Sequence, residues 1–277
     1  MGRIHVLAAA IADRIAAGEV VERPAAVVRE LLDNAVDAGA RRIEVDLEGG
    51  GIDLVAVADD GEGLGADDAV LAFERHATSK ISSGDDLDAV TTLGFRGEAL
   101  AAIAAVSRVE LLTRPAGTPG AEGTRVVVER GRLVTVEPAA RRPGTTVAVR
   151  DLFGSVPARR KFLKAPGTEL EHCLAAAIRT ALARWEVGVR VRHNGRDLLA
   201  APPAAGPAAR IGDTLGSRWA GAMVPAAEER AGVRVDVWAA RTDIHRPTRD
   251  GVHLFVNRRP VRDPLLMRAV LDAYRAA

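Results

Sequence analysis

The sequence predicts a chain of the α/β (α+β) class, built as one large unit followed by a smaller αβ unit. Three observations predict it. A helix-period segment at Pro24–Ala38 runs into two strand-like segments separated by three glycines. Four further strand candidates follow one another between Arg108 and Asp151. The stretch Pro202-Pro203-Ala204-Ala205-Gly206-Pro207 then separates this block from another group of strands and a helix.

In chain order, Ile11–Val21 reads as a short helix with an apolar face. Pro24, at a permitted first-turn position, starts a second helix that Gly39 stops. Arg42–Leu47 and Ile52–Ala58 read as a hairpin turned at Gly49-Gly50-Gly51. Asp59-Asp60-Gly61-Glu62-Gly63 ends its second strand abruptly, and Asp67–Arg75 reads as a helix. His76–Gly97 is polar and without sustained periodicity, a loop of the length that is often functional. Glu98–Val106 is a small-residue helix. Strands are expected at Arg108–Thr113, Thr124–Glu129, Leu133–Glu137 and Thr145–Asp151. Helical segments at Ala158–Leu163 and Glu169–Trp185 and a strand at Val187–His193 complete the first unit. Beyond the proline-rich stretch come strands at Val233–Ala239 and Val252–Val256 and a helix from Pro264. The expected division is 1–201, a linker at 202–209, and 210–277, with no internal repeat.

The composition, 48% hydrophobic and 27% charged over 277 residues, is that of a globular chain long enough for a sizeable core. With aromatics at 3%, that core must rest on Val, Leu, Ile and Ala. A formal net charge of +1 gives no strong overall pull toward nucleic acid or membrane. A lone cysteine, Cys173, rules out a disulfide within the chain and points to a reduced, cytosolic setting. The start at Met1–Val6 lacks a signal peptide's basic head and apolar run. No apolar stretch reaches the ~20 residues of a membrane span. The only lysines are Lys80, Lys161 and Lys164, a compositional bias toward arginine.

On the helix from Pro24, Val27, Val28, Leu31, Leu32, Ala35 and Val36 share one broad arc at ~100° per residue. Glu30, Asp33, Asn34 and Asp37 share the other. Such a stripe is ordinarily a solvated face. Two points weigh against that here. No Lys or Arg interrupts the stripe between Glu30 and Ala40. Glu30 and Asn34 also lie one turn apart, so both can reach one ligand. A carboxylate can act as general base on water, and an amide oxygen suits Mg²⁺.

Asp59 closes an apolar strand before Gly61, Gly63 and Gly65, which admit a ligand close to the backbone. A carboxylate there could accept a hydrogen bond from a nucleobase amino group. Taken alone, the segment is equally read as a plain Asp-Gly turn. His76-Ala77-Thr78-Ser79-Lys80 and Leu93-Gly94-Phe95-Arg96-Gly97-Glu98-Ala99-Leu100 form the third element. Gly97-Glu98 opens a helix whose free N–H groups suit phosphate, with Arg96 and Lys80 adding positive charge. No Gly-Lys-Ser/Thr follows the glycines, so this is not a Walker A loop. Arg159, Arg160, Lys161 and Lys164 offer a DNA contact, and a solvated basic turn accounts for them equally well.

Together these segments resemble the MutL family of DNA mismatch-repair ATPases, within the gyrase–Hsp90–histidine kinase–MutL superfamily. The matching text is Ile15–Pro24, Glu30–Ala40, His76–Lys80, Gly94–Leu100, Gly144-Thr145-Thr146 and Pro157–Leu163, with Phe255-Val256-Asn257-Arg258 further on. The resemblance implies a two-layer αβ sandwich, a mixed sheet with helices on one face. Part of a ribosomal-S5-like αβ transducer domain would follow it at 210–277. Glu30 would be the general base for water, and Asn34 would coordinate Mg²⁺ and, with Asp37, border the ATP. Asp59 would read the adenine amino group, Gly63 would border the adenine and Thr145 would support it. Thr78, Ser79, Lys80 and Gly94, Phe95, Arg96, Gly97, Glu98, Ala99 and Leu100 would form a lid, within 76–97 and the helix start after it, over the phosphates. The implied activity is slow, Mg-dependent ATP hydrolysis driving dimerisation of two copies. The implied partners are DNA and a mismatch-recognition protein of the MutS family, in a cytoplasmic, nucleoid-associated setting without a membrane.

Three departures stand out. Asp59-Asp60-Gly61 replaces the family's Asp-Asn-Gly, which puts an acid where polyphosphate is expected. Val256-Asn257-Arg258-Arg259-Pro260 replaces Val-Asn-Gly-Arg. Leu152-Phe153-Gly154-Ser155-Val156-Pro157 replaces Leu-Phe-Tyr-Asn-Thr-Pro. The family's second-domain lysine lies in an Asn-Val-His-Pro-Ala-Lys stretch that this sequence lacks. The chain therefore reads as a fragment, for which a nucleotide- and DNA-binding module with little hydrolysis is the alternative. A histidine-kinase or chaperone cousin is a weaker reading, since no phosphoacceptor helix is evident.

Overall fold

The computed structural model describes residues 20–74, 99–241, 244 and 251–276. Most of the predicted Ile11–Val21 helix and the whole His76–Gly97 loop lie outside them. The chain divides into two compact units, Met1–Ala177 with Val189–Leu199, and Ile178–Gly188 with Ala200–Ala277.

The first unit starts with α1 (Pro24–Asp37), whose Val27, Val28, Leu31, Leu32 and Ala35 are buried. They pack on β1 (Arg42–Glu48) and β2 (Leu54–Asp59), an antiparallel hairpin joined by a 3₁₀ turn at Gly49–Gly51. Then come α2 (Ala66–Leu71), α3 (Ala99–Ala105), β3 (Arg108–Arg114), β4 (Gly123–Glu129), β5 (Arg132–Ala139) and β6 (Gly144–Arg150). After these follow α4 (Pro157–Arg160), α5 (Pro166–Ala183), β7 (Gly188–His193) and β8 (Arg196–Ala201).

The eight strands form one sheet in the order β5-β4-β3-β6-β2-β1-β7-β8. The five ladders from β5 to β1 are antiparallel. Alternation decides the two faces. Ile43, Val45, Leu47, Val55, Val57, Val109, Leu111, Val147 and Val149 are all buried. The residues between them carry ion pairs on the other face, Arg125 with Glu110 and Glu137, and Arg192 with Asp46 and Glu44. Among the described residues α1, α2 and α3 pack against strands of this sheet, in the expected two-layer αβ arrangement. Cys173, on α5, is fully buried with Sγ 3.7 Å from the Gly50 carbonyl. Burial first, and then the nearby Glu169 charge, push its thiol up to about 12.

The structure corrects several details, among them the Asp67–Arg75 helix, which stops at Leu71, and the unforeseen helix Ser217–Ala222 and strands Met223–Arg230 and Arg259–Val261. The Ala158–Leu163 helix is shorter, ending at Arg160. The strand β8 was not expected: Arg196-Asp197-Leu198 is exposed throughout, so no inside–outside alternation marks it. The proline-rich stretch ends in a helix, because Pro207 opens α6 (Pro207–Leu215) at its first turn.

The second unit continues with α7 (Ser217–Ala222) and the antiparallel hairpin β9 (Met223–Arg230) and β10 (Val233–Ala240). A shorter hairpin, β11 (Leu254–Val256) and β12 (Arg259–Val261), precedes α8 (Pro264–Ala276). Arg210 is fully buried and donates to the carbonyls of Trp185, Val187, Ala201 and Pro202. The β11–β12 turn holds Asn257 and Arg258 at φ 48° and 63°, where the family's glycine would sit freely. A side chain there costs about 1–2 kcal/mol. Arg258 offsets part of it by stacking 4.1 Å from the Trp185 ring and pairing with Glu186 at 2.7 Å. No described helix is long and apolar enough to cross a membrane.

Candidate functional site

The polar arc of α1 carries Glu30, Asp33, Asn34 and Asp37, all half-buried. Its apolar arc fixes the helix on the sheet, so these four side chains have a set direction. Arg29 pairs with Glu30 at 3.1 Å. The acidic arc therefore has a basic neighbour on its N-terminal side, although none follows Glu30 before Ala40.

Asp59 ends β2 on the helix-covered face, opposite Ile43 of β1. Its Oδ1 accepts hydrogen bonds from the backbone N–H of Gly61 (2.9 Å) and of Thr145 (3.2 Å). Oδ2 accepts none among the described residues. Burial pushes the carboxyl above the ordinary aspartate value. The two N–H groups and the charge of Arg141 pull the other way, and Asp60 adds to the rise. An anchored carboxylate with one unused oxygen is suited to a ligand's N–H donor.

The wall beside Asp59 is backbone and threonine. Thr113, at the end of β3, accepts the Leu64 N–H at 2.8 Å and lies 3.0 Å from the Thr145 hydroxyl. Gly63 has φ 66°, and a Cβ there would run into the Arg114 carbonyl and within 3.2 Å of the Gly144 carbonyl. A Cβ on Gly144, at φ 117°, would meet the Asp59 carbonyl. Only glycine permits these two close backbone crossings. The Glu62 N–H donates to the Ala38 carbonyl at 2.9 Å, which ties this turn to the end of α1. Thus Asp59, Gly63 and Thr145 come together from β2, its following turn and β6, and the Glu62–Ala38 bond joins this turn to the end of the helix that carries Glu30, Asn34 and Asp37.

Asp60 is turned elsewhere. Its Oδ1 accepts the backbone N–H groups of Arg41 (2.7 Å) and Arg42 (2.8 Å) at the start of β1. The acid that replaces the family's amide therefore caps a strand start, and the expected burden on polyphosphate does not follow from its position.

Ala99 and Leu100 form the half-buried first turn of α3. Thr78, Ser79, Lys80, Gly94, Phe95, Arg96, Gly97 and Glu98 lie outside the described residues. In the basic segment Arg160 pairs with Asp151 at 2.7 Å, Arg159 is half-buried, and Lys161 and Lys164 are exposed. Gly154, the departure from the family's tyrosine, leaves room for that Asp151 carboxylate. Thr113 and Arg141 contact Thr145 and Asp59 and were not foreseen, since nothing local in the sequence marks either.

Known proteins match the chain in sequence and in fold. The model of the histidine kinase-, DNA gyrase B- and HSP90-like ATPase family matches residues 22–137. The model of the C-terminal domain of DNA mismatch repair protein matches residues 211–277. The DNA mismatch repair protein MutL of Anaeromyxobacter dehalogenans (strain 2CP-C) is 52% identical over 274 residues, covering 99% of this chain and 45% of the relative. The MutL of Pseudomonas putida (strain GB-1) is 48% identical over 278 residues, with 99% and 44% covered. The chain thus spans about 45% of the length of the curated relatives it matches. The Aquifex aeolicus MutL ATPase domain complexed with ADP superposes with TM-score 0.70 at 26% identity, covering 91% of this chain and 88% of that one. The N-terminal domain of a DNA repair protein shares the fold at TM-score 0.81 and 22% identity, covering 95% and 82%.

Proposed function

We infer that this chain, which belongs to the MutL family of DNA mismatch-repair proteins, binds ATP with Mg²⁺ between α1 and the Asp59 turn and serves as an ATPase switch. The observation that carries the reading is Asp59, held through Oδ1 by the Gly61 and Thr145 N–H groups, with Oδ2 accepting no hydrogen bond from the described residues. Adenine presents one amino donor and a flat ring, which this acceptor and this bare wall fit. The ADP named with the Aquifex aeolicus domain supports the same ligand class.

The residues of α1 fit the phosphate end. Asn34 would supply a neutral oxygen to Mg²⁺, a cation that does not need a full protein cage. When bound, the ion neutralises charge on the phosphates. Glu30, one turn away, takes the proton from the attacking water, and Asp37 extends the acidic arc. Thr145 holds Asp59 through its N–H and meets Thr113 through its hydroxyl. The roles of Thr78, Ser79, Lys80 and Gly94–Leu100 at the phosphates rest on their sequence. Residues 1–201 act as the nucleotide domain with lid 76–97, joined by 202–209 to a ribosomal-S5-like transducer beginning at 210. In the whole protein the switch couples to DNA, a MutS-family partner and pairing of two copies, with Arg159, Arg160, Lys161 and Lys164 as the DNA contacts.

Titration calorimetry on the chain with ATP and Mg²⁺ tests the binding, and its absence ends the reading. Glu30→Gln is expected to keep ATP affinity within about threefold and to slow hydrolysis by the intact protein at least a hundredfold, as for loss of a general base. Retained turnover refutes the base assignment.

A further inference from the structure

Arg141 lies in the segment ahead of β6, 82 residues from Asp59 in sequence. Its Nη2 donates to the Asp59 carbonyl at 3.2 Å and to the Thr146 hydroxyl at 2.8 Å. The β2–β6 ladder ends at the pair Ala58–Thr146, so that carbonyl lies one residue past its last rung. Gly144 packs on the same carbonyl, too close for any Cβ. The guanidinium is itself fixed: Nη1 donates to the Arg142 carbonyl at 3.0 Å, and Arg114 donates to the Arg141 carbonyl at 3.1 Å. Burial of Arg141 lowers its pKa and the Asp59 charge raises it, so the two groups act on each other.

We propose that Arg141 is a positioning residue for nucleobase selection, holding the Asp59 carboxylate in place from behind the β2–β6 junction. The proposal rests on the assignment of Asp59 to adenine. Physically, Arg141 supplies a donor to the Asp59 carbonyl, and rotation of that peptide would carry away the Gly61 N–H that holds Oδ1. It ties that carbonyl to Thr146, next to the Thr145 N–H that grips Oδ1. It also places a positive charge where burial otherwise disfavours the ionised carboxylate. A fixed, ionised acceptor discriminates an amino group from a carbonyl oxygen, whereas a swinging one does not.

The test compares wild type, Arg141→Met, Arg141→Lys and Asp59→Asn, each titrated with ATP and with GTP, alongside a thermal melt. Arg141→Met is expected to weaken ATP about tenfold, the loss of one charge-assisted hydrogen bond, while GTP changes less than twofold. The ATP-to-GTP preference then falls by about the same tenfold factor. Arg141→Lys, which keeps the charge and a donor, is expected to recover at least half of it on a logarithmic scale. If Arg141→Met keeps the wild-type preference while Asp59→Asn loses it, the positioning role is overturned and the adenine assignment stands. Equal weakening of both nucleotides with a lowered Tm also overturns it, leaving Arg141 purely structural. If Asp59→Asn itself leaves ATP binding unchanged, the adenine assignment fails first and the proposal with it.

Discussion

Replacing Asp59 with asparagine isolates the atom on which the nucleotide reading turns. The amide oxygen can take the place of Oδ1 and keep the Gly61 and Thr145 N–H bonds, so the fold has no reason to change. The amide nitrogen then takes the place of Oδ2 and faces the ligand with a donor. Against adenine's amino group that is one lost hydrogen bond and one donor–donor clash in a half-buried setting. A mismatch of that kind costs about 1–3 kcal/mol, or roughly 5- to 150-fold in Kd. Inosine triphosphate carries a carbonyl oxygen in place of the amino group, so the same change is expected to leave its binding unchanged or improved. Titration calorimetry with both nucleotides reads the inversion directly. Wild-type and variant ATP affinities within twofold of one another would refute the assignment. The pH dependence gives an independent check. Burial raises the Asp59 pKa above 3.8 in the folded chain. An acid raised on folding favours its protonated form there, so wild type gains stability relative to Asp59→Asn as pH falls through that raised value. ATP affinity moves oppositely over the same window, since protonation removes the acceptor. A wild-type-minus-variant Tm difference that is flat from pH 7 to pH 4 would contradict the buried, ionisable carboxylate.

Two further outcomes test the frame around the site. Gly63→Ala puts a Cβ into the Arg114 carbonyl at a φ of 66°, so the chain is expected to lose about 1–3 kcal/mol of stability along with ATP binding; an unchanged denaturation midpoint would show that the crossing is loose. Arg210→Met leaves the four carbonyls of Trp185, Val187, Ala201 and Pro202 without their donor. A loss of about 3–5 kcal/mol is expected, and hydrogen exchange should rise in the second unit, whereas protection equal to wild type would contradict this role.

Much of this protein was determined locally and was legible in the chain. The 3.6-residue period of Pro24–Asp37 sets which side of α1 meets the sheet, so the Glu30–Asn34–Asp37 arc follows from spacing alone. The glycines after Leu47 make the hairpin, and the end of its second strand places Asp59 on the helix side by the period of two. What the tertiary structure decided is the company these residues keep. The insertion of β6 between β3 and β2 brings Thr145 to Asp59 across 86 residues, and the same placement delivers Thr113 and Arg141. Strand order depends on long-range pairing that no local pattern encodes. Asp60 shows the same limit, since its neighbours suggested phosphate and its carboxylate instead closes onto the N–H groups of Arg41 and Arg42. Arg210 shows it in the second unit, where an arginine that reads as surface sits fully buried because four stray carbonyls converge on it. Spacing along the chain chooses the face a side chain occupies, and only the closing of the sheet and its helices chooses what stands opposite.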